Sequence, residues 1–214
     1  MQWLFDLDGT LHQDQYGVAK KISESMTGYI EDYFSYSRLQ ADALRRRYIN
    51  RYGATLAGLI AEVPSFPVQD FLYFTHPLET LLPLVVAEYD LPQSLKALPG
   101  NKYILSNAPT RYVEAVLDCL NVRSFFKALG CCDSFSYLHF KPQVSAYTLF
   151  LQAQRLNAPA CILVDDRLAN LVSARKLNMK TVWLRPAIEE EKGVNFLYID
   201  SIHQLAARYN EPLF

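Results

Sequence analysis

The chain has 214 residues, of which 50% are hydrophobic and 20% are charged, and its formal net charge is −1. This length and composition predict one folded domain of ordinary size, or a core domain carrying a smaller insert, and they exclude intrinsic disorder. The small net charge provides no field that would favour a nucleic acid polymer or an anionic membrane.

The cysteines and the first residues of the chain indicate the cellular compartment of the protein. Cys119, Cys131, Cys132 and Cys161 include no CxxC pair, so we expect buried free thiols and neither a zinc site nor a disulfide framework. The first residues lack the basic and long apolar regions of a signal peptide, and no stretch approaches the roughly 20 apolar residues of a membrane span. We therefore expect a cytoplasmic protein with no membrane partner, present as a monomer or homodimer.

Short apolar runs alternate with segments of helical periodicity. The runs predict buried parallel strands at 3–5, 103–105, 161–164, 181–184 and 196–199. The periodic segments predict helices at 84–98, 109–121, 141–157, 167–179 and 201–209. Pro92 is expected to break the first helix in two, whereas Pro109 and Pro142 are expected in first helical turns. This alternation predicts an open α/β sheet with right-handed crossovers.

Residues 13–83 interrupt that alternation. This stretch lacks a strand pattern, and residues 37–52 predict a helix that ends at Gly53. We therefore predict a core formed by residues 1–12 and 84–214, with residues 13–83 inserted after the first strand as a helical domain.

Polar residues stand at the ends of three predicted strands and at the start of one predicted helix. They are Asp6 and Asp8, Ser106 and Asn107, Asp165 and Asp166, and Lys141. Each residue alone is explained equally well as a turn, a helix cap or a surface charge. In a parallel sheet, however, all of them would converge on one edge, where open α/β sheets bind ligands.

Four acids at one sheet edge would repel one another, and a divalent cation would relieve that repulsion. Oxygen ligands of this kind suit Mg²⁺. A lysine and a hydroxyl beside the ion would then favour a bound anion that also touches the metal.

The motifs FDLDGTL, LSN, KP and VDDRLAN occur in this order, and they resemble the four motifs of the haloacid dehalogenase (HAD) superfamily. The resemblance covers essentially the whole chain, and it implies a Rossmann-like core with a helical cap of the C1 type. Four stretches further resemble the pyrimidine 5′-nucleotidase branch: RRRYINRYGATLAGL, FLYFTHPLETLLP, ILSNAPTRYVEAVL and VDDRLANLVSARKLNM.

The resemblance implies phosphoryl transfer from a small phosphate ester, with Asp6 as the nucleophile. Asp8 would be the general acid and afterwards the general base. Ser106 would donate to a phosphate oxygen, and Lys141 would pair with both the phosphate and Asp6. Asn107 would either orient the loop or touch the substrate.

The resemblance also implies a Mg²⁺ site formed by the Asp6 carboxylate, the Asp8 backbone carbonyl and the later acidic pair. We favour Asp166 as a direct ligand, with Asp165 bound directly or through water. Arg167 stands where relatives commonly carry a small residue, and its side chain could face solvent or pair with a nearby acid.

The inserted helices are expected to restrict the substrate to a small molecule. Tyr48, Tyr52 and His76 are candidates for base or sugar contacts, although tyrosines at helical spacing are more often core residues. A run of arginines such as residues 45–47 usually lies on a solvent-exposed face of a helix.

The leading hypothesis is a magnesium-dependent phosphatase acting on a pyrimidine nucleoside 5′-monophosphate. Sugar-phosphate hydrolysis, phosphomutase activity and a non-catalytic binding module are alternatives. Asp8 argues against carbon–halogen hydrolysis, because relatives of that type usually lack this acid.

Overall fold

The computed structural model describes residues 1–13, 16–184 and 196–209. The strands in these ranges are β1 (Gln2–Phe5), β2 (Asn101–Leu105), β3 (Phe126–Gly130), β4 (Cys161–Asp165), β5 (Lys180–Leu184) and β6 (Leu197–Ile199). The α-helices are α1 (Val18–Phe34), α2 (Arg38–Tyr52), α3 (Thr55–Glu62), α4 (Val68–Thr75), α5 (Leu78–Leu81), α6 (Leu91–Ala97), α7 (Thr110–Cys119), α8 (Val144–Ala153), α9 (Leu168–Arg175) and α10 (Ile202–Arg208).

The strands form one parallel sheet in the order β3-β2-β1-β4-β5-β6. Strand β1 lies inside the sheet, and its Leu4 pairs with Tyr103 of β2 on one side and Leu163 of β4 on the other. The predicted α/β class with a Rossmann-like parallel sheet is therefore confirmed.

Strand β1 is apolar from Trp3 to Phe5 because helices cover both faces of the sheet. Trp3 and Phe5 pack in a cluster with side chains of α6, α7 and α10. Leu4 packs on the opposite face in a cluster with side chains of α8 and α9. All three β1 side chains are fully buried, as expected for a strand in the middle of a parallel sheet.

The strand order reverses direction at β1. From β1 the sheet extends through β2 to β3 on one side, and through β4 to β6 on the other. Such a switch point opens a crevice at the carboxyl ends of the central strands. The residues that follow β1, β2 and β4 therefore lie around one crevice.

Three predictions about secondary structure were wrong. Strand β3 was missed, because it is an edge strand whose short sequence FKALG includes an exposed Lys127. The helix predicted at 84–98 begins only at Leu91, with Pro92 in its first turn. The preceding residues instead run beside the loop after β1, where Ala87 bridges His12. Neither Pro109 nor Pro142 lies in a first helical turn. Pro109 is the N-cap of α7, and Pro142 precedes Gln143, the N-cap of α8.

Helices α1 to α4 have a hydrophobic cluster of their own, which includes Ile30, Tyr48, Leu59 and Phe71. The cluster continues onto Phe140, which precedes Lys141 in the sequence. By contrast, the buried Val18, Leu81 and their partners pack in the cluster beneath the sheet. The division of the chain into a core and an inserted domain at residues 13–83 remains a prediction.

Helix α2 begins and ends where its sequence predicts. The backbone N–H of Ser37 donates to Oε1 of Gln40 at 2.8 Å, which fixes the first turn. Gly53 ends the helix with φ at +84°, a conformation that glycine adopts without steric cost. The turn then brings α3 back against α2.

The cysteines follow the predicted burial with one exception. Cys131, Cys132 and Cys161 are buried free thiols, but Cys119 is exposed at the end of α7. The prediction was wrong for Cys119 because it lies away from the side of α7 that faces the sheet. Among the described residues, no helix has both the length and the apolar character needed to cross a membrane.

Close packing between α2 and α3 depends on Gly58. A Cβ atom at this position would collide with the ring of Tyr48. We therefore expect Gly58→Ala to lower the free energy of unfolding by about 1–3 kcal/mol, as overpacking usually does. Gly28→Ala is the matched control, because Gly28 lies within α1 and a Cβ there would meet nothing within 4 Å.

The control should stabilise the protein slightly, by up to about 1 kcal/mol, through helix propensity. Urea unfolding of both variants measures the difference. Equal stability changes in the two variants would contradict the packing of Tyr48 on Gly58.

Candidate active site

Asp6 and Asp8 lie where β1 runs into the crevice. The backbone N–H of Asp6 donates to the Val164 carbonyl at 3.0 Å, so the first acid is still held by the β4 edge. Gly9 follows with φ at +80°, and a Cβ on it would lie 2.8 Å from Oδ2 of Asp166. The turn after β1 therefore requires glycine both for its backbone conformation and to leave space for an acid from β4.

Lys141 joins the acids of β1 and β4. Its Nζ lies 2.8 Å from Oδ1 of Asp6 and 2.7 Å from Oδ2 of Asp165. Burial works against the charge on Lys141, but Asp165 and Asp6 outweigh it and hold the pKa of the lysine above its usual range. The ammonium therefore stays charged between two carboxylates.

Asn107 fixes the backbone of Lys141. Its Nδ2 donates to the Lys141 carbonyl at 2.8 Å, and its Oδ1 accepts from the Lys141 N–H at 2.7 Å. Asn107 therefore holds the loop that carries Lys141, and it also lines both cavities of the crevice. Both roles predicted for Asn107, loop orientation and substrate contact, stay predictions.

Asp165 is fully buried and surrounded by donors. Its oxygens accept from Lys141, from the Arg167 backbone N–H at 2.9 Å and from Nδ2 of Asn170, which lies 2.9 Å from both. This carboxylate therefore anchors the start of α9 and the ammonium together.

Asp166 differs from its neighbour because its Oδ1 is buried and has no hydrogen-bond partner within residues 1–13, 16–184 and 196–209. One oxygen each of Asp6, Asp165 and Asp166 lie within 4.8 Å of one another. Three carboxylates this close, with one oxygen left without a donor, fit the oxygen-rich coordination that Mg²⁺ prefers.

The pKa values of these acids reflect the crowding. Burial raises the pKa of Asp6 to about 6, although Lys141 opposes the shift. Burial also raises the pKa of Asp166 to about 8, and the negative charges of Asp6 and Asp165 add to it. A bound cation would favour the ionised forms of both.

Asp8 has different neighbours, which the sequence did not reveal. Its Oδ1 accepts from the Tyr112 hydroxyl at 2.6 Å and from Nε2 of His12 at 2.9 Å. Burial favours the protonated form, but the hydrogen bonds from His12 and Tyr112 outweigh it and lower the pKa of Asp8. His12 lies four residues from Asp8, whereas nothing in the local sequence marks Tyr112.

Ser106 follows β2 and faces the same crevice. Its backbone N–H donates to the Gly130 carbonyl at 2.9 Å, and its Oγ accepts from the Ala108 N–H at 3.1 Å. The hydroxyl proton of Ser106 is thus free to point at an anion. The missed strand β3 supplies Gly130, so it helps to hold Ser106 in place.

Two adjoining cavities open on these residues. A polar cavity of about 320 Å³ is lined by Asp6, Asp8, Ser106, Lys141, Asp166 and Arg167. A mostly apolar cavity of about 280 Å³ extends from Asp8 along helices α1 to α4. Asp8, Asn107 and Ala108 line both cavities, so a molecule bound in one would reach the other.

Of the candidates for base or sugar contacts, Tyr48, Tyr52 and His76, the structure brings His76 to the site. Tyr48 is a core residue against α3, and the hydroxyl of Tyr52 donates to Glu62 at 3.0 Å. His76 lines the apolar cavity and lies 5.3 Å from the Tyr112 ring. Burial lowers the pKa of His76 to about 4, so it is neutral at pH 7. Arg167 is exposed at the rim of the polar cavity.

Comparisons with known proteins agree with this arrangement. The family model of haloacid dehalogenase-like hydrolases matches residues 4–178. The chain therefore belongs to the haloacid dehalogenase-like hydrolase family, whose members typically use Mg²⁺.

Solved structures share the fold at low sequence identity. A HAD phosphatase from Thermococcus onnurineus superposes with a TM-score of 0.68 at 14% identity, over 98% of this chain and 97% of that one. An L-2-haloacid dehalogenase from Xanthobacter autotrophicus gives 0.62 at 14% identity, over 99% and 98%. Magnesium-bound YfnB from Bacillus subtilis gives 0.64 at 15% identity, over 98% of both chains.

The raised pKa of Asp166 predicts a pH-dependent loss of stability in metal-free protein. Between the ordinary aspartate pKa near 4 and about 8, the folded protein keeps a proton that the unfolded chain has released. The free energy of unfolding should therefore fall as pH rises through this window, by at most about 1.4 kcal/mol per pH unit for one proton. Asp166→Asn should remove this part of the fall.

Urea unfolding in the presence of a chelator, from pH 5 to pH 9, measures the effect. Asp165→Asn is the matched control, and it should be destabilised throughout, because Lys141 loses one of its two anionic partners. Parallel pH profiles for wild type and Asp166→Asn would contradict the electrostatic account.

Proposed function

We propose that the protein is a magnesium-dependent phosphatase that hydrolyses a small phosphate monoester through an aspartyl-phosphate intermediate. The expected substrate is a pyrimidine nucleoside 5′-monophosphate. The observation that carries the proposal is the Lys141 ammonium, 2.8 Å from Asp6 and within the polar cavity that Asp8 and Ser106 also line.

The phosphate would bind in the polar cavity. Lys141 and the Ser106 hydroxyl would donate to its oxygens, which places phosphorus beside the Asp6 carboxylate. Asn107 would keep Lys141 in position through its two hydrogen bonds to the lysine backbone. Arg167 at the rim would add a positive charge that attracts the anion.

Asp6, Asp166 and the Asp8 backbone carbonyl would hold Mg²⁺, with Asp165 next to it. The unpartnered Oδ1 of Asp166 and the crowded carboxylates favour this assignment. Bound Mg²⁺ supplies positive charge that stabilises the charge developing on the transferred phosphoryl group.

The two acids of the first motif would carry out separate steps. The lowered pKa leaves Asp8 ionised in the free enzyme, so it must take up a proton from solvent before the first step. A carboxylate oxygen of Asp6 then attacks phosphorus, the ester P–O bond breaks, and protonated Asp8 gives its proton to the departing oxygen. In the second step Asp8 takes a proton from water, whose oxygen attacks phosphorus and breaks the bond to Asp6. The products are the alcohol and inorganic phosphate, and both aspartates return to their starting states.

The inserted helices would act as a cap domain over this chemistry. They form one wall of the apolar cavity, which would receive the leaving group and exclude water. A sugar-phosphate phosphatase or a phosphomutase would use the same phosphoryl-transfer residues, so product analysis with a sugar phosphate separates these activities from nucleotide hydrolysis.

Carbon–halogen hydrolysis is a second candidate because a haloacid dehalogenase shares the fold. That reaction needs no proton donor for its halide leaving group, whereas Asp8 is held in place by two donors. Incubation with 2-chloropropionate should therefore release no chloride.

Replacing the nucleophile tests the proposal. Asp6→Asn should abolish the hydrolysis of p-nitrophenyl phosphate, because an amide cannot form the aspartyl-phosphate. The exposed Asp118→Asn is the matched control and should retain activity. Thermal unfolding checks that both variants are folded. Full activity in Asp6→Asn would refute the covalent mechanism.

Tyr112 provides a milder test, because its hydroxyl donates to Asp8. Tyr112→Phe removes the 2.6 Å hydrogen bond to Asp8 and retains the ring. We expect kcat for a nucleotide to fall by about 2- to 10-fold, the size of one lost hydrogen bond, with a smaller change in KM. An unchanged kcat with a raised KM would place Tyr112 in substrate binding instead.

A further inference from the structure

The apolar cavity beside Asp8 carries one arginine, Arg45 of α2. The cavity is lined mostly by apolar side chains such as Leu56, Phe71 and Phe140, and Arg45 is the one basic side chain among its lining residues that is always charged. Arg45 belongs to the run 45–47, in which Arg46 and Arg47 are exposed and Arg45 is turned inward.

The guanidinium of Arg45 is held firmly on one side. Its Nη1 donates to the Ser23 carbonyl at 2.7 Å, to Oγ of Ser23 at 3.0 Å and to Oγ1 of Thr27 at 2.6 Å. These acceptors are all on α1 and all neutral. Among the described residues, no carboxylate lies within salt-bridge distance of Arg45.

The other side of the guanidinium has no oxygen partner in the described part of the chain. Nη2 contacts only the sulfur of Met26, at 3.9 Å, and Nε is buried without a partner. Nε and Nη2 form one edge of the planar group, with two parallel N–H donors. A buried donor without an acceptor destabilises the protein, so a ligand that supplied acceptors would be bound more tightly at this edge.

Met26 covers this edge and lines the same cavity. A methionine side chain is flexible and rearranges at little cost. Its rotation would open the Nε–Nη2 edge to a molecule in the cavity while Ser23 and Thr27 kept the guanidinium in place.

We infer that Arg45 selects substrates whose leaving group carries two adjacent acceptor atoms. A carboxylate has this geometry, and so do O2 and N3 of a cytosine base. The inference rests on the proposed phosphatase function, because the leaving group must extend from Asp8 into the apolar cavity. It narrows the substrate class to esters that pair with an arginine fork.

The experiment compares substrates that differ only in this feature. The first pair is CMP and UMP, since uracil has a donor between its two carbonyls. The second pair is 3-phosphoglycerate and glycerol 3-phosphate, which differ in the carboxylate. In one of the two pairs, we expect wild type to prefer the first member by about 10- to 100-fold in kcat/KM. A preference for CMP would identify the acceptors as those of a cytosine base, and a preference for 3-phosphoglycerate would identify them as a carboxylate.

Arg45→Met and Arg45→Lys should reduce that preference to about 3-fold or less, because neither retains the fork. Arg46→Met is the matched control on the exposed side of α2 and should keep the wild-type preference. The ratio of two substrates within one variant is insensitive to a general loss of stability, and Arg45→Lys provides a second variant if Arg45→Met does not fold.

Two results would overturn the inference: no preference within either pair for wild type, or a preference that survives in both Arg45 variants. In either case continued hydrolysis of p-nitrophenyl phosphate would leave the phosphatase proposal standing. Absence of phosphate release from every ester would instead refute both.

Discussion

The ammonium of Lys141, placed between Asp6 and Asp165, is the interaction on which the site depends. It joins the ends of β1 and β4 and offsets the negative charges of both carboxylates. A buried charge is tolerated only when it is paired, so removing Lys141 would leave two uncompensated carboxylates in the crevice, whereas removing one of the two acids would leave an ion pair. Asn107 extends the arrangement to β2 by holding the lysine backbone.

The aspartates of the site lie in different surroundings, and these surroundings suit them to different roles. Hydrogen bonds from His12 and Tyr112 hold Asp8 and lower its pKa, whereas burial raises the pKa values of Asp6 and Asp166. Such a separation of environments is a recognised sign of distinct acid, base and nucleophile roles. Both oxygens of Asp165 accept hydrogen bonds, whereas Oδ1 of Asp166 has no partner among the residues that the structure describes.

Structural features that follow from a local sequence pattern could be predicted. Features that depend on contacts between residues far apart in the sequence could not. The buried strands were recognisable because helices cover both of their faces, which requires apolar residues. The convergence of the acids could be predicted because parallel strands end at the same edge of the sheet. Strand β3 was missed because an edge strand needs less apolar character. Tyr112 was missed because only the packing of α7 brings it to Asp8, and Arg45 because its orientation depends on acceptors from α1.

The covalent role of Asp6 is the central claim, and trapping the intermediate tests it most directly. In Asp8→Asn, p-nitrophenyl phosphate should still phosphorylate the enzyme, because its leaving group needs no proton, whereas hydrolysis of the intermediate should be slow. Acid quenching followed by mass spectrometry of peptides should then locate one phosphoryl group on Asp6. A burst of nitrophenol with the phosphoryl group on another residue, or with no phosphorylated peptide, would contradict the account.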